Sequence, residues 1–179
     1  GETVVHVGAG GGYYTTVLSR LVGDGGRVVA YEIEPELAAA AAANCRASRN
    51  IEVVEANAAT AALPDADIVY VNAGAVAPPL SWIDALRPGG RLIFPWRPAT
   101  NVGLAVLAVR GRSGVALRVV SRAWFIPCVG ADDEDVTVRA PSGEDALRSR
   151  AIVPMRERTP DGSATAVYRD LWFSSDAPG

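Results

Sequence analysis

Short apolar runs alternate with helical patterns along the first half of the chain. Buried strands are predicted at 3–7, 27–31, 51–55, 67–71 and 91–95, because strands with helices on both faces are apolar throughout. Helices are predicted at 13–22, from Pro35 to Cys45, and at 79–86, with Pro35 well placed in a first turn. Pro88-Gly89-Gly90 predicts a turn before the fifth strand. This repetition indicates an α/β protein with a mostly parallel sheet.

The pattern changes after residue 100. Two β-rich runs, 102–109 and 115–125, flank a glycine-containing stretch at 110–114 and predict an antiparallel hairpin. Further on, a helix is predicted near 144–150, and strands at 151–158 and 165–174 are predicted to pair around Pro160-Asp161-Gly162. We therefore predict one domain over 1–179, with a core at 1–130 and a variable, β-rich C-terminal extension at 131–179. The predicted fold is a doubly wound α/β sheet with an antiparallel edge hairpin.

Composition narrows the class of protein. Hydrophobic residues make up 49% of the 179 residues, which indicates a globular chain. The net charge of −3 makes nucleic acid an unexpected partner. Two cysteines, Cys45 and Cys128, are too few for a disulfide framework and are interpreted as reduced thiols in a cytoplasmic protein. No signal peptide is visible, and the longest uncharged run, 68–83, contains an asparagine and two prolines, so no membrane span is expected.

A glycine cluster follows the first predicted strand directly. Gly8, Gly10 and Gly12 allow positive φ angles and let a ligand approach the backbone at the start of a helix. The nicotinamide fingerprint Gly-x-Gly-x-x-Gly would place its third glycine at Tyr13, so a nicotinamide oxidoreductase is a weaker alternative. A phosphate P-loop requires a lysine, and the chain contains none.

Polar residues stand at the ends of the next strands. Glu32 comes 24 positions after Gly8 (32 − 8), close to the spacing of an acid that accepts hydrogen bonds from both hydroxyls of a ribose. Asn57 is a candidate for an adenine edge, and Asn72 for the reacting end of the ligand. The alternatives are a solvated acid at position 32 and a helix cap at position 72. Together these positions favour an adenosine-containing ligand.

Several segments carry a family resemblance. Residues 5–21, 31–37 and 68–95 resemble class I S-adenosylmethionine methyltransferases, most clearly in Gly8–Tyr13, Asn72–Pro78 and Ile83–Pro95. Within that superfamily they are most similar to the protein-L-isoaspartate O-methyltransferases, and Phe125–Gly130 is similar to a segment after the antiparallel strand of that family. The resemblance covers residues 4 to 130.

The resemblance implies a Rossmann-like sheet of seven strands with its last strand antiparallel, and S-adenosyl-L-methionine as cofactor. It implies a protein or small-molecule methyl acceptor, with a carboxylate preferred because no general base is evident. Adenine and cytosine N-methylation are disfavoured, because Asn72 is followed by Ala-Gly and not by the Pro-Pro-aromatic run of those enzymes. The implied cofactor-binding residues are Gly8, Ala9, Gly10, Gly12, Tyr13, Glu32, Ile33, Asn57, Ala58, Asn72 and Gly74.

The chain departs from the family pattern at three places. His6 stands where the family has an acid that helps to hold the cofactor's ammonium group, and Asn57 stands where it has aspartate. A serine-bearing substrate segment before the first strand has no counterpart ahead of Val4. The third departure leads to two hypotheses. Either the chain is part of a longer protein, or its methyl acceptor is different. The alternative function is a cofactor-binding or catalytically inactive, methyltransferase-like interaction protein.

The single histidine and the four tryptophans are residue types that can serve either in a core or at a site. His6, the only histidine, is interpreted as a buried strand residue and not as a catalytic base. The four tryptophans are interpreted as core or edge packing, with Trp96 also a candidate for a substrate pocket because it follows the fifth strand. No catalytic residue or metal ligand is identified from the sequence.

Overall fold

The computed structural model describes residues 1–99 and 101–178 and contains one mixed sheet. The strands are β1 Thr3–Val7, β2 Arg27–Glu32, β3 Ile51–Glu55, β4 Ala66–Val71, β5 Leu86–Ala99, β6 Val102–Arg110, β7 Val115–Arg122, β8 Thr137–Arg139, β9 Ala151–Pro154, β10 Ala164–Tyr168 and β11 Leu171–Ser174. The helices are α1 Tyr13–Val22, α2 Pro35–Cys45, α3 Leu80–Asp84 and α4 Gly143–Arg148, with a 3-10 turn at Glu134–Val136. The strand order is β3-β2-β1-β4-β5-β6-β7-β9-β11-β10-β8.

The first five strands are parallel, and alternate side chains on them point to opposite faces of the sheet. β1 lies between β2 and β4, with Val5 level with Val29 on one side and Val69 on the other. These three valines face the main hydrophobic core, whereas Val4 packs with Val22 of α1 on the opposite face. The helices α1 and α2 therefore cover one face, which confirms the predicted α/β class.

Strand β5 is longer than predicted. The sequence predicts a strand at 91–95 after a Pro-Gly-Gly turn, whereas the strand spans Leu86–Ala99. The register with β4 shifts inside it, because Ala66 is level with Leu86 and Ile68 with Arg91. The predicted turn at 88–90 is therefore an irregularity within the strand, centred on Gly89 with its φ of 81°.

The sheet has eleven strands, so the expected count of seven is wrong. Strands β8 to β11 extend the same sheet, because β9 pairs with both β7 and β11. The predicted strand at 165–174 divides at Arg169-Asp170 into the hairpin β10–β11. The predicted pairing of 151–158 with 165–174 around residues 160–162 is only partly correct, since β9 pairs with the second half of that segment.

Trp96 ties the C-terminal strands to the core. Its ring is fully buried and stacks on Phe173 of β11, with ring centroids 4.2 Å apart and planes 5° from parallel. Its indole N–H donates to the Val76 carbonyl at 3.0 Å and to the Tyr168 hydroxyl at 3.1 Å. Trp96 therefore belongs to the core and lines no substrate pocket, because the C-terminal strands cover it.

The cysteines, the helices and the acidic side chains add three observations on the described residues. Cys45 and Cys128 are free and buried, and they form no disulfide. Over residues 1–99 and 101–178, no helix has both the length and the apolar character that crossing a bilayer requires. The same residues hold no group of three or more His, Cys, Asp or Glu side chains suited to a metal ion.

Candidate functional site

A cavity of about 350 Å³ opens at the carboxyl ends of the parallel strands. It lies where β1 separates β2 from β4, the position at which open α/β sheets bind ligands. Its walls come from the loop after β1, the ends of β2, β3 and β4, and a segment after β7. The lining residues are Val7, Gly8, Gly10, Tyr31, Glu32, Ile33, Glu34, Leu37, Ala56, Asn57, Ala58, Asn72, Ala73, Ile126, Pro127, Cys128 and Val129.

The glycine loop presents bare backbone to this cavity. Gly8 and Gly10 have φ angles of 77° and 54°, in the left-handed region that favours glycine. The amides of Gly8 and Ala9 both donate to the Tyr31 carbonyl at 3.0 Å, which holds the loop against the end of β2. A side chain at Gly10 would meet no atom within 4 Å. The backbone at Gly10 therefore faces open space, as close approach of a ligand requires.

Four of the predicted cofactor-binding residues do not line the cavity. A Cβ at Gly12 would lie 2.9 Å from the Cys45 sulfur and 3.2 Å from the Ala41 Cα, so Gly12 lets α1 and α2 pack closely. Ala9 is buried beneath the loop, and Tyr13 is 74% exposed on α1. Gly74 lies behind the segment at 126–128. The other seven predicted residues share the cavity: Gly8, Gly10, Glu32, Ile33, Asn57, Ala58 and Asn72.

Glu32 is held rigidly at the end of β2. One carboxylate oxygen accepts from the Gly10 amide at 2.7 Å. The other accepts from the amides of Ile33 at 2.9 Å and Glu34 at 3.1 Å. A carboxylate has about four acceptor positions, so about one remains for a ligand hydroxyl. The side chain is 7% exposed, which places a fixed acceptor at the cavity wall.

The loop after β3 forms the opposite wall. The Asn57 side-chain oxygen accepts from the Ala59 amide at 2.9 Å, and the Trp82 indole N–H donates to the Ala58 carbonyl at 3.0 Å. A Cβ at Gly130 would lie 2.9 Å from the Asn57 amide nitrogen, so this loop also packs against the segment after β7. Buried anchors on both sides therefore fix the position of Asn57.

The segment Ile126–Val129 completes the cavity and was not among the residues predicted to bind. The Gly74 amide donates to the Ile126 carbonyl at 2.7 Å, and the Cys128 amide donates to the Gly74 carbonyl at 2.8 Å. This pairing places the segment beside Asn72 and Ala73 at the end of β4. The apolar run at 125–129 was a usable signal, but the sequence alone does not show that it returns to the end of β4.

His6 is fully buried in β1 and lies outside the cavity lining. Its Nδ1 pairs with the Thr15 hydroxyl at 2.9 Å, its ring lies 5.4 Å from that of Tyr70, and its Nε2 has no hydrogen-bond partner. Burial lowers the pKa of His6 to about 4, because the charged ring would lose its hydration. At neutral pH the residue is therefore uncharged and offers no counter-ion for a ligand ammonium group.

The thiol of Cys128 lies in the cavity wall. Burial, with a smaller contribution from Asp132, raises the pKa of Cys128 to about 11. The sulfur is therefore protonated at neutral pH and is a poor nucleophile.

The family model and the similar sequences of known proteins agree on one family. The family model for protein-L-isoaspartate(D-aspartate) O-methyltransferase matches residues 1–133. A protein-L-isoaspartate O-methyltransferase from Aeropyrum pernix is 33% identical over 135 residues, which are 73% of this chain and 52% of that protein. Protein-L-isoaspartate O-methyltransferase 2 from Archaeoglobus fulgidus is 36% identical over 138 residues, which are 73% and 61%. The chain thus spans about half the length of these curated relatives.

Solved structures show the same fold. A protein-L-isoaspartate O-methyltransferase superposes with a TM-score of 0.71 at 19% identity, covering 99% of this chain and 65% of the other. A second structure, from Plasmodium falciparum and in complex with S-adenosyl-L-homocysteine, gives 0.63 at 18% identity, covering 72% and 66%. At these identities the comparison supports the fold, including the C-terminal strands that the first superposition covers.

Proposed function

The chain belongs to the protein-L-isoaspartate O-methyltransferase family, and on that premise we propose that it transfers a methyl group from S-adenosylmethionine to a carboxylate of a polypeptide. An isoaspartyl residue is the acceptor that the family favours. One observation carries the proposal: a carboxylate fixed by three backbone amides faces the same cavity as the bare backbone of Gly10.

The cavity residues suit an adenosyl cofactor. Glu32 would accept a hydrogen bond from the ribose, Asn57 and Ala58 would edge the adenine, and Gly8 and Gly10 would pass beneath the sugar and the amino-acid part. When bound, S-adenosylmethionine supplies an electrophilic methyl group, whose transfer to a carboxylate oxygen gives a methyl ester and S-adenosylhomocysteine with no proton to remove.

The cavity composition supports a carboxylate acceptor. Among the described lining residues there is no histidine, the Cys128 thiol is protonated, and of the two acids, Glu32 and Glu34, Glu32 already accepts from three backbone amides. An acceptor that must lose a proton would need a general base here. A carboxylate needs none, so the chain has only to orient the acceptor and exclude water. The segment Ile126–Val129 would serve the second purpose as an apolar cover.

Calorimetric titration with S-adenosylmethionine, followed by transfer of a labelled methyl group, tests the proposal. We expect saturable binding and transfer to an isoaspartyl peptide but not to the matched aspartyl peptide. The label should be released as methanol in mild base, since esters hydrolyse and N-methyl groups do not. NADH serves as the control ligand and should not bind. Binding of NADH in place of S-adenosylmethionine, or base-stable label, would contradict the proposal.

A second candidate is a methyltransferase-like protein that binds the cofactor without transferring its methyl group. The neutral, buried His6 favours it, because this position then lacks the negative charge that would attract the cofactor's ammonium group. Saturable binding without transfer to any carboxylate peptide would select this candidate.

A further inference from the structure

Arg97 is a cation at the carboxyl end of β5, next to the end of β4. Its amide donates to the Ala75 carbonyl at 2.7 Å. Its side-chain stem lies directly over Gly74, where any Cβ would collide with the Arg97 Cδ. Glycine at position 74 therefore makes room for the arginine to cross the end of β4 and reach the segment after β7.

No carboxylate forms an ion pair with Arg97 among the described residues. Its Nη1 donates to the Phe125 carbonyl at 2.8 Å, and its buried Nε has no partner. Six arginines form ion pairs with carboxylates within residues 1–99 and 101–178, and Arg97 is not among them. A guanidinium with unused donors, held in one orientation, is a ready site for a carboxylate.

The Arg97 side chain lies beside the chain segments that line one end of the cavity. Gly74, beneath the arginine stem, is bonded to Ile126, and Ile126 lines the cavity together with Asn72 and Ala73. Two apolar lining residues of that segment, Ile126 and Val129, are 76% and 55% exposed. An anion arriving at the cavity mouth would therefore meet one fixed cation and an apolar surface.

We propose that Arg97 binds the carboxylate of the methyl acceptor and so positions a polypeptide carboxylate at the mouth of the cavity. One carboxylate oxygen accepts from the guanidinium, and the second stays free to receive the methyl group. Ile126 and Val129 pack against the apolar side chains next to the acceptor residue. This inference rests on the proposed function and adds to it the residue that selects an anionic acceptor.

The test measures acceptor binding separately from methyl transfer. An isoaspartyl peptide is titrated into the protein saturated with S-adenosylhomocysteine, beside the same peptide with its acceptor carboxylate converted to an amide. In Arg97→Gln we expect binding of the carboxylate peptide to weaken about 10- to 100-fold, the range for a lost charge-assisted hydrogen bond. Binding of the amide peptide should change less than twofold. Arg97→Lys should recover part of the loss.

Arg112→Gln is the matched control, because Arg112 is exposed in the β6–β7 turn at the opposite edge of the sheet. It should leave both peptides unaffected. Equal weakening of both peptides in Arg97→Gln, or a parallel loss of S-adenosylhomocysteine affinity, would assign Arg97 to bracing Phe125 and overturn the inference. Methyl transfer that continues unchanged in Arg97→Gln would overturn it and leave the proposed function standing. A wild-type protein that binds the carboxylate peptide through Arg97 but transfers no methyl would refute the proposed catalysis alone.

Discussion

The Glu32 carboxylate is hydrogen-bonded to two loops, the glycine loop and the loop that leads into α2. It accepts from Gly10 across the glycine loop and from Ile33 and Glu34 at the start of α2. Each of these bonds is charge-assisted and held in a largely buried position. The carboxylate proposed to hold the ribose is therefore already oriented in the free protein, which would reduce the entropy lost on binding.

Glu32→Ala should weaken S-adenosylmethionine binding by on the order of 1–3 kcal/mol, because a charge-assisted acceptor for the ribose is lost. Calorimetric titration measures the change. Glu36→Ala, an exposed acid in the first turn of α2 that does not line the cavity, is the control and should bind normally. An unaltered dissociation constant for Glu32→Ala would remove this residue from the site.

His6 should make stability depend on pH. The unfolded histidine takes up a proton near pH 6.5, whereas the buried one does so only near pH 4. The unfolded state therefore binds more protons between these values, and stability falls as the pH falls through this window. The loss is on the order of 3 kcal/mol, from about 1.4 kcal/mol per pKa unit.

Urea unfolding of the wild type and of His6→Asn between pH 7.5 and 4 checks this expectation. Carboxylates titrate in the same range, so the difference between the two proteins isolates the histidine. The wild type should lose stability relative to the variant on acidification. Parallel profiles would mean that the folded histidine ionises as readily as the unfolded one.

At the scale of elements, the contact between α1 and α2 depends on Gly12. Its φ of 88° is unfavourable for other residues, and a Cβ would press on Ala41 and Cys45 of α2. Gly12→Ala should lower the free energy of unfolding by about 2–4 kcal/mol, from backbone strain together with overpacking.

The neighbouring Gly11→Ala is a matched control. Gly11 has no positive φ, and a Cβ there would lie 4.0 Å from the Asn44 amide nitrogen, an ordinary van der Waals distance. Chemical denaturation of both variants gives the comparison. Equal free energies of unfolding for Gly12→Ala and Gly11→Ala would show that α1 and α2 can move apart without loss of stability.

The elements up to residue 110 were predictable because each carries a local signal. Apolar runs mark β1 to β4, and glycines or Pro35 mark the neighbouring helix ends. Seven of the candidate site residues line one cavity because they stand in the glycine loop or just after the ends of neighbouring parallel strands, positions that the sequence shows. Gly12 stays a predicted ligand contact, and the structure adds a packing role against α2 that sequence spacing alone does not show.

The C-terminal strands were less predictable because pairing is non-local. Strands β8 and β9 have three and four residues, too short for a clear alternation. One of the two partners of β9 is β7, about 35 residues earlier, and nothing in either strand specifies that choice. For the same reason, the sequence could not show that Phe173 covers Trp96 or that Ile126 returns to Gly74.

For the whole molecule, the stack of Trp96 on Phe173 makes the C-terminal strands part of the common core. Phe173→Ala should lower the free energy of unfolding by about 3–5 kcal/mol, the range for truncating a buried phenylalanine. The loss should affect the whole sheet, so tryptophan fluorescence and far-ultraviolet circular dichroism should still report one transition.

Val138→Ala, in the edge strand β8 where the side chain is 72% exposed, is the control and should be nearly neutral. Two separate transitions in Phe173→Ala would instead mean that the C-terminal strands fold independently of the parallel half.

The cavity takes its floor from residues near the start of the chain and its cover from Ile126–Val129, more than a hundred positions later. Unfolding separates the floor from the cover, so any molecule that binds to both stabilises the folded state. At a concentration of one hundred times its dissociation constant, such a molecule adds about 2.7 kcal/mol. A shift in melting temperature can therefore screen nucleosides and acidic peptides one by one, without an assay for any reaction.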